Sequence, residues 1–348
     1  MTHPPAPNRG FASDNYAGIH PEVLAAITAA NDGTHAKAYG ADPWTARLKD
    51  LFAQHLGDQA TAYVMFNGTG ANVTALRACC RPWEGVICAD TAHVHVDEGG
   101  APERMGGLKL LTTPTPDGKL TPADIARLTI RVGDEHAVQA RVVTVTQPTE
   151  LGTLYSVDEL RALAEAAHER NLLLHVDGAR IANAAVALDV PFRAFTTDVG
   201  VDVVTFGATK NGALGAEAVV FLTPGLDEGF LYLRKQSMQL ASKGRFYAAQ
   251  LVAQLEGDLW QRAAAGANAM ATRLASGAAA IDGISVTQAV QANAVFAIVP
   301  PAVAATVMEE YPFYVWDEHT GEVRWMCSWD TTADEVDGFL AALAAALA

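Results

Sequence analysis

Seven short apolar runs punctuate the first two thirds of the sequence: Tyr63 to Phe66, Val86 to Ala89, Leu108 to Thr112, Val142 to Thr146, Leu172 to Val176, Val201 to Phe206 and Ala218 to Leu222. Several are separated by stretches with helix-start signals. Thr121, Pro122 and Asp124 cap one, and Ser156 with Glu159 makes a capping box for the next. Strands that alternate with helices predict an α/β fold on a mostly parallel, doubly wound sheet. Sheets of this kind bind ligands outside the carboxyl ends of their strands. The residues that follow each run are therefore where chemistry is expected.

Two of those ends carry ionisable groups. The run Leu172 to Val176 delivers Asp177, and Val201 to Phe206 leads to Thr209 and Lys210 within TFGATKNGALG. A lysine that condenses with an aldehyde and an aspartate that keeps a pyridine nitrogen protonated are what a pyridoxal 5'-phosphate (PLP) enzyme needs. Asp177 also reads as a cap for the next helix, and Lys210 as a solvated lysine. The small residues around Lys210 do, however, leave room for a bulky group at the backbone. After Tyr63 to Phe66 come Asn67, Gly68, Thr69 and Gly70, then a helix, a turn whose free N–H groups suit a single phosphate. A dinucleotide fingerprint needs a third glycine that GTGANV lacks. A tight turn without a ligand is the other reading.

The loop TAHVHVDEGGAPE holds His93, His95, Asp97 and Glu98. No cysteine or distant HxxxH completes a metal set, so no metal is expected. The readings left are an imidazole stacked on a flat cofactor, an acid-base group, or a solvated loop. In TQPTELGTLY, Gln147 and Thr149 suit a ring oxygen or a substrate hydroxyl, and equally a turn with Pro148. Arg180 suits a phenolate or phosphate, or faces solvent. Arg324 lies among apolar neighbours in VRWMCSW, where a guanidinium needs an anion: a substrate carboxylate or a structural glutamate.

Beyond Phe221 the pattern changes. Residues 226 to 280 read as long helices. Short strands in ISVTQAV, AVFAIVP and EVRWMCSW then alternate with helices at Ala302 to Glu310 and Ala333 to Leu347. This predicts an N-terminal arm over 1–19, a large α/β domain over 20–254 and a small C-terminal α+β domain over 255–348. A net charge of -15 with scattered Lys and Arg argues against a nucleic-acid surface. No apolar run reaches the ~20 residues that cross a bilayer, and MTHPPAPNRGFASDN has no apolar core of signal-peptide length. No membrane partner is expected. Cys79, Cys80, Cys88 and Cys327, without CxxC spacing, suggest reduced thiols and a cytoplasmic setting.

The segments FASDNYAGIHPEV, AYGADPWTARL, FNGTGAN, TAHVHVDEGGAPE, TQPTELGTLY, LHVDGAR, FGATKNG and RWMCSWDT resemble the low-specificity L-threonine aldolases, in the branch that includes phenylserine aldolases. The resemblance runs from Phe11 to Trp329. It implies the PLP-dependent transferase fold of type I, the aspartate-aminotransferase type, within the beta-eliminating lyase superfamily. The implied reaction cleaves L-threonine, L-allo-threonine or a related β-hydroxy-α-amino acid such as phenylserine to glycine and an aldehyde. By position, Lys210 would carry the cofactor, Asp177 pair with its ring nitrogen, and Gly68 and Thr69 hold its phosphate. His93 would stack on the ring and Arg180 contact the phenolic oxygen. Ser13 and Arg324 would clamp the substrate carboxylate, with Lys235 or Arg245 in support. The resemblance also implies a homodimer or homotetramer with active sites between subunits. Thr209 stands where the common pattern has Ser. Transaldolation, β-elimination and transamination would use the same Lys210 and Asp177, whereas a non-catalytic nucleotide-binding protein would need neither.

Overall fold

The computed structural model describes residues 10–348; residues 1–9, the start of the expected arm, lie outside the described residues. The large unit opens with α1 (Pro21–Ala30) and α2 (Pro43–Leu56), each with proline in its first turn. Next come β1 (Thr61–Met65), α3 (Gly68–Cys79), β2 (Glu84–Ala89), α4 (His93–Val96), α5 (Ala101–Arg104), β3 (Lys109–Thr113) and α6 (Pro122–Leu128). The unit continues through β4 (Gln139–Thr146), α7 (Val157–His168), β5 (Leu173–Gly178), α8 (Ile181–Leu188), β6 (Val203–Gly207) and β7 (Glu217–Phe221). The capping boxes at Thr121 with Asp124 and at Ser156 with Glu159 both form.

The seven strands lie in the order β1-β7-β6-β5-β4-β2-β3. Neighbours from β6 through β3 are parallel, and β7 runs antiparallel to both β1 and β6. The chain moves outward from β2 to β3, then places β4 on the other side of β2 and continues to β5 and β6. That reversal makes a topological switch point between β2 and β4, where a crevice opens at the strand ends. Register does the rest. Met65 and Gly207, near or at the ends of β1 and β6, both stand opposite Glu217, while Thr146, Asp177 and Thr205 are level across β4, β5 and β6. Four strand ends thus converge on one crevice.

Strands β5, β6 and β7 are buried along their whole length, as strands covered on both faces must be. A polar rung crosses their centre: His175 bonds Thr144 at 2.8 Å and Thr205 at 3.0 Å. Burial pushes this imidazole down to about 4, so it is a neutral strut beneath Asp177.

Helices α9 (Phe230–Gln236), α10 (Arg245–Leu255) and α11 (Leu259–Ala278) lead to β8 (Ser285–Val286), β9 (Ala294–Ile298), α12 (Pro301–Met308), β10 (Tyr314–Asp317), β11 (Glu322–Met326) and α13 (Ala333–Leu347). The last four strands form an antiparallel sheet ordered β10-β11-β9-β8. The edge strand β10 is not among the expected strands; Tyr314 and Val315 are both exposed, so it has no alternating apolar face. The expected boundary at 254/255 falls within the last turn of α10, and Leu255 belongs to the larger core. Helix α11 then spans both cores, with Leu259 in the larger and Ala271, Leu274 and Ala278 in the smaller. Among the described residues no helix is long and apolar enough to cross a membrane.

The described part of the arm is pinned to the small unit. The Phe11 N–H donates to the Pro312 carbonyl and the Met326 N–H to the Phe11 carbonyl, both at 2.7 Å. The Phe11 ring lies 4.6 Å from that of Phe339 in the smaller core. Truncating such a buried ring typically costs about 3–5 kcal/mol. We expect Phe11→Ala to lower the urea midpoint accordingly without changing the slope of the transition.

Candidate active site

The crevice holds a cavity of about 400 Å³ whose lining includes Gly68, Thr69, His93, Asp177, Arg180 and Lys210. Its floor at the β1 end is the start of α3. Asn67 caps this helix by accepting the Gly70 N–H at 2.7 Å, which leaves the rest of the first turn and the positive helix end for an anion. A Cβ on Gly68 would meet nothing within 4 Å, so the backbone there is open to a guest. Gly70 serves packing instead: a Cβ there would stand 2.2 Å from Gln239 Nε2.

Asp177 is 3% exposed. Its Oδ2 accepts from Asn72 Nδ2 at 2.7 Å and its Oδ1 from the Ala179 N–H at 3.0 Å. Helix α8 begins only after Arg180 and has no side-chain cap, so the capping reading of Asp177 fails. Asn72 Nδ2 also donates to Glu98 Oε1 at 2.9 Å, and the same oxygen lies 3.1 Å from His93 Nδ1. This bond to Glu98 holds the His93 imidazole above the usual histidine value. With Nδ1 committed, Nε2 is the ring nitrogen left for other work. The His93 N–H donates to Glu150 Oε1 at 2.8 Å, as Thr146 Oγ1 does at 2.7 Å, and burial pushes the Glu150 carboxyl up.

Other polar residues of these loops are occupied elsewhere. His95 and Asp97 are exposed. Gln147 exchanges two hydrogen bonds with the Tyr155 backbone, and Thr149 pairs with the Thr153 hydroxyl, so both shape the turn. Among the described residues no three His, Cys, Asp or Glu side chains are grouped to hold a metal.

Lys210 follows β6 in a short turn over Thr209–Asn211. Burial, and next the Arg180 charge, push its amine below the usual lysine value, which favours the neutral nucleophile. The Thr209 hydroxyl donates to Glu217 and accepts the Ala216 N–H at 3.2 Å. Glu217 is buried and its carboxyl is pushed up to about 7. Arg180 does not face solvent; its Nε and Nη2 donate to the two oxygens of Asp14 at 2.6 and 2.9 Å.

Arg324 approaches from β11 with Nη2 3.5 Å from the Ala12 carbonyl. Its guanidinium lies over the rings of Trp316 at 4.8 Å and Tyr314 at 5.6 Å. It has no carboxylate partner among the described residues, and its buried Nε has no hydrogen-bond acceptor, so the structural-glutamate reading fails. Ser13 Oγ accepts the Asn15 N–H at 3.2 Å. Lys235 sits over Tyr39 at 5.3 Å, and Arg245 Nη1 donates to the Thr34 carbonyl at 3.2 Å; neither lines the cavity of its own chain. Asp14, Asn72 and Glu217 join the site without having been expected there. The signals available were positional: Asp14 and Asn72 lie inside FASDNY and FNGTGAN, and Glu217 opens a buried apolar run.

These residues fit PLP: an open helix start for its phosphate, a buried carboxylate for its ring nitrogen, and a lysine amine biased toward the neutral form. The buried Asn72 Oδ1 and Glu98 Oε2 atoms without partners mark polar capacity beside the cavity still to be used. Fold and site together define a PLP-dependent enzyme of fold type I. Residues 10–300 match the beta-eliminating lyase family. The chain is 46% identical to a low specificity L-threonine aldolase of Pseudomonas aeruginosa over 94% of each sequence. Its fold matches a threonine aldolase of Leishmania major with a TM-score of 0.92 and 30% identity, covering 98% of this chain and 100% of that one. An aspartate aminotransferase of Rhizobium meliloti shares the fold at a TM-score of 0.71 and 17% identity, over 98% and 91% of the two chains. The chain belongs to the beta-eliminating lyase family, among the low-specificity L-threonine aldolases.

Glu217 gives a test of the site's electrostatics. Its carboxyl stays protonated in the folded chain to about 7 against an ordinary 4.5, so the folded state holds the extra proton between those values. Stability is therefore lost as pH rises through that window. Glu217→Gln cannot ionise and escapes the loss. Relative to wild type, and without added cofactor, it should gain up to about 3 kcal/mol between about pH 5 and about pH 8 in urea denaturation. A gap that does not change with pH would show that the carboxyl ionises normally.

Proposed function

We propose that the protein cleaves L-threonine, L-allo-threonine or a related β-hydroxy-α-amino acid such as phenylserine to glycine and an aldehyde. The observation that carries the reading is the one cavity in which a buried Asp177 and a depressed Lys210 meet Gly68, Thr69, His93 and Arg180; Arg324 lies outside that lining, with Arg180 and Asp14 among the charges that act on it. Its relatives named low specificity L-threonine aldolase support the same reaction. PLP, when bound, supplies an electron-withdrawing protonated ring attached through an amine. Lys210 would hold that group and Asp177 its ring nitrogen, with Gly68 and Thr69 at its phosphate, Arg180 at its phenolic oxygen and His93 against its face.

The chain's own contributions follow from where the side chains lie. Arg324, assisted by Ser13, would take the substrate carboxylate and so fix the orientation of the bond from Cα to Cβ that breaks. His93 Nε2 takes the proton of the β-hydroxyl as that bond breaks, the electron pair staying on Cα and the departing carbon leaving as an aldehyde. The proton held at His93 Nε2 would be available to Cα, and Lys210 would hold the cofactor again once glycine leaves. Lys235 and Arg245, which do not line the cavity of their own chain, would act in the neighbouring subunit's cavity of at least a homodimer. Four free cysteines fit a reducing, cytoplasmic setting.

Incubation with threonine, allo-threonine and phenylserine should release glycine and the matching aldehyde; a 2-oxo acid with ammonia would mean elimination instead. Lys210→Ala should lose the visible chromophore and turnover together, whereas Arg324→Ala should keep the chromophore and raise KM at least about tenfold. A fully active Arg324→Ala would remove the clamp from the mechanism. Because the base form of His93 exists above a pKa raised by Glu98, kcat should climb through a midpoint above the ordinary 6.5, and Glu98→Gln should lower that midpoint. For the shared site, inactive Lys210→Ala and Arg245→Ala subunits, unfolded and refolded together, should regain about one quarter of wild-type activity. No recovery would place Arg245 outside the neighbour's site.

A further inference from the structure

We propose that Asp14 is the positioning residue of the site: it orients Arg180 and stands between the cofactor arginine, Arg180, and the substrate arginine, Arg324. The inference rests on the PLP reading above and deepens it.

Asp14 is 2% exposed, and both of its oxygens are engaged by Arg180. A two-point bond of this kind fixes the plane of the guanidinium as well as its charge. Asn293 Nδ2 adds a third donor to Oδ2 at 3.1 Å and also donates to the Cys327 carbonyl at 2.8 Å, which ties the carboxylate to the small domain. The arm on either side is equally constrained. Phe11 is held by Pro312 and Met326, and the His20 N–H donates at 2.8 Å to the Gly212 carbonyl, two residues past Lys210. The Ala12 carbonyl meets Arg324. Arg180 from the large domain and Arg324 from the small one therefore reach the same few residues of the arm.

Two guanidiniums that close disfavour one another. Burial, and next the Arg180 charge, depress Arg324, while Asp14 favours the charged form of both arginines. Burial alone would raise the Asp14 carboxyl, but Arg180 and Lys210 outweigh it and hold it below the usual aspartate value. The groups facing Asp14 are thus Arg180 from the β5–α8 turn, Lys210 after β6, and Asn293 and Arg324 from the small domain. With the carboxylate removed, Arg180 would be a buried cation without a partner, and its full charge would fall on the Lys210 end of the cavity.

The test compares purified wild type, Asp14→Asn and Asp14→Glu, each stripped of cofactor and titrated with PLP. Readouts are the PLP dissociation constant, the pH midpoint of the visible absorbance and the melting temperature. Asp14→Asn, nearly isosteric but uncharged, should weaken PLP about tenfold and move the absorbance midpoint down by about one pH unit, because an unneutralised cation disfavours protonation nearby. Asp14→Glu keeps the charge and should restore most of the midpoint while its extra methylene displaces Arg180 and weakens PLP about threefold. Asp14→Asn with wild-type affinity and midpoint but a lower melting temperature would overturn the proposal, leaving only a fold-stabilising role. Should Asp14→Asn fail to fold, Asp14→Glu decides: weaker PLP at a wild-type melting temperature supports positioning, and wild-type affinity overturns it. Wild type that takes up no PLP would sink the cofactor reading itself, and that failure shows before any substitution is made.

Discussion

A half-buried amine, Lys210, and a half-buried guanidinium, Arg180, share one end of the sheet with the buried carboxyls of Asp14, Glu98, Asp177 and Glu217, and the architecture is what makes that tolerable. An isolated charge out of water costs several kcal/mol, so each group must find an opposite charge or give up its own. Arg180 takes Asp14; Asp177 takes hydrogen bonds from Asn72 and Ala179; Glu217 holds on to its proton; Lys210 is pushed toward losing one. The outcome is a cavity that brings together a hydrogen-bonded Asp177 side chain and a Lys210 amine biased toward its neutral form. No single residue produces it. The register does, by setting the ends of β1, β4, β5 and β6 against the start of β7.

The arm extends that balance across the domain boundary. By placing Phe11 in the smaller core and Asp14 beside the larger one, it makes the relative position of the two cores an electrostatic matter as well as a packing one. Helix α11 supplies the second tie, with residues in both cores. Two cores joined in two such places hold Arg324 in a fixed relation to Arg180. The proposed reaction would need that, since a substrate carboxylate and a cofactor would have to be gripped together.

What the sequence makes legible follows from burial. Strands covered on both faces must be continuously apolar, so the seven runs of the large sheet stand out, to within three residues at each end. Asp177 and Lys210 stand out for the same reason, because a polar residue at the end of such a run calls for an explanation. The antiparallel direction of β7 does not, since an apolar run carries no sign of its direction. Nor does the exposed edge strand β10. Asp14 and Asn72 stay hidden because their partners are remote: Arg180 is 166 residues from Asp14, and Asp177 is 105 from Asn72. Arg180 could be read from its position as an anion binder, yet the acid that holds it could not.

Arg324 is held in a way that suits an anion site. A carboxylate beside it would have paid for its burial but would have competed with the substrate for the same donors. The rings of Trp316 and Tyr314 attract the cation through their faces, so that Ala12 engages only Nη2 of its in-plane donors. Tyr314 also meets Tyr16 of the arm, hydroxyl to hydroxyl at 3.1 Å, so the aromatic support is braced by the segment that carries Asp14. An anion arriving there would meet a guanidinium that has no carboxylate partner among the described residues.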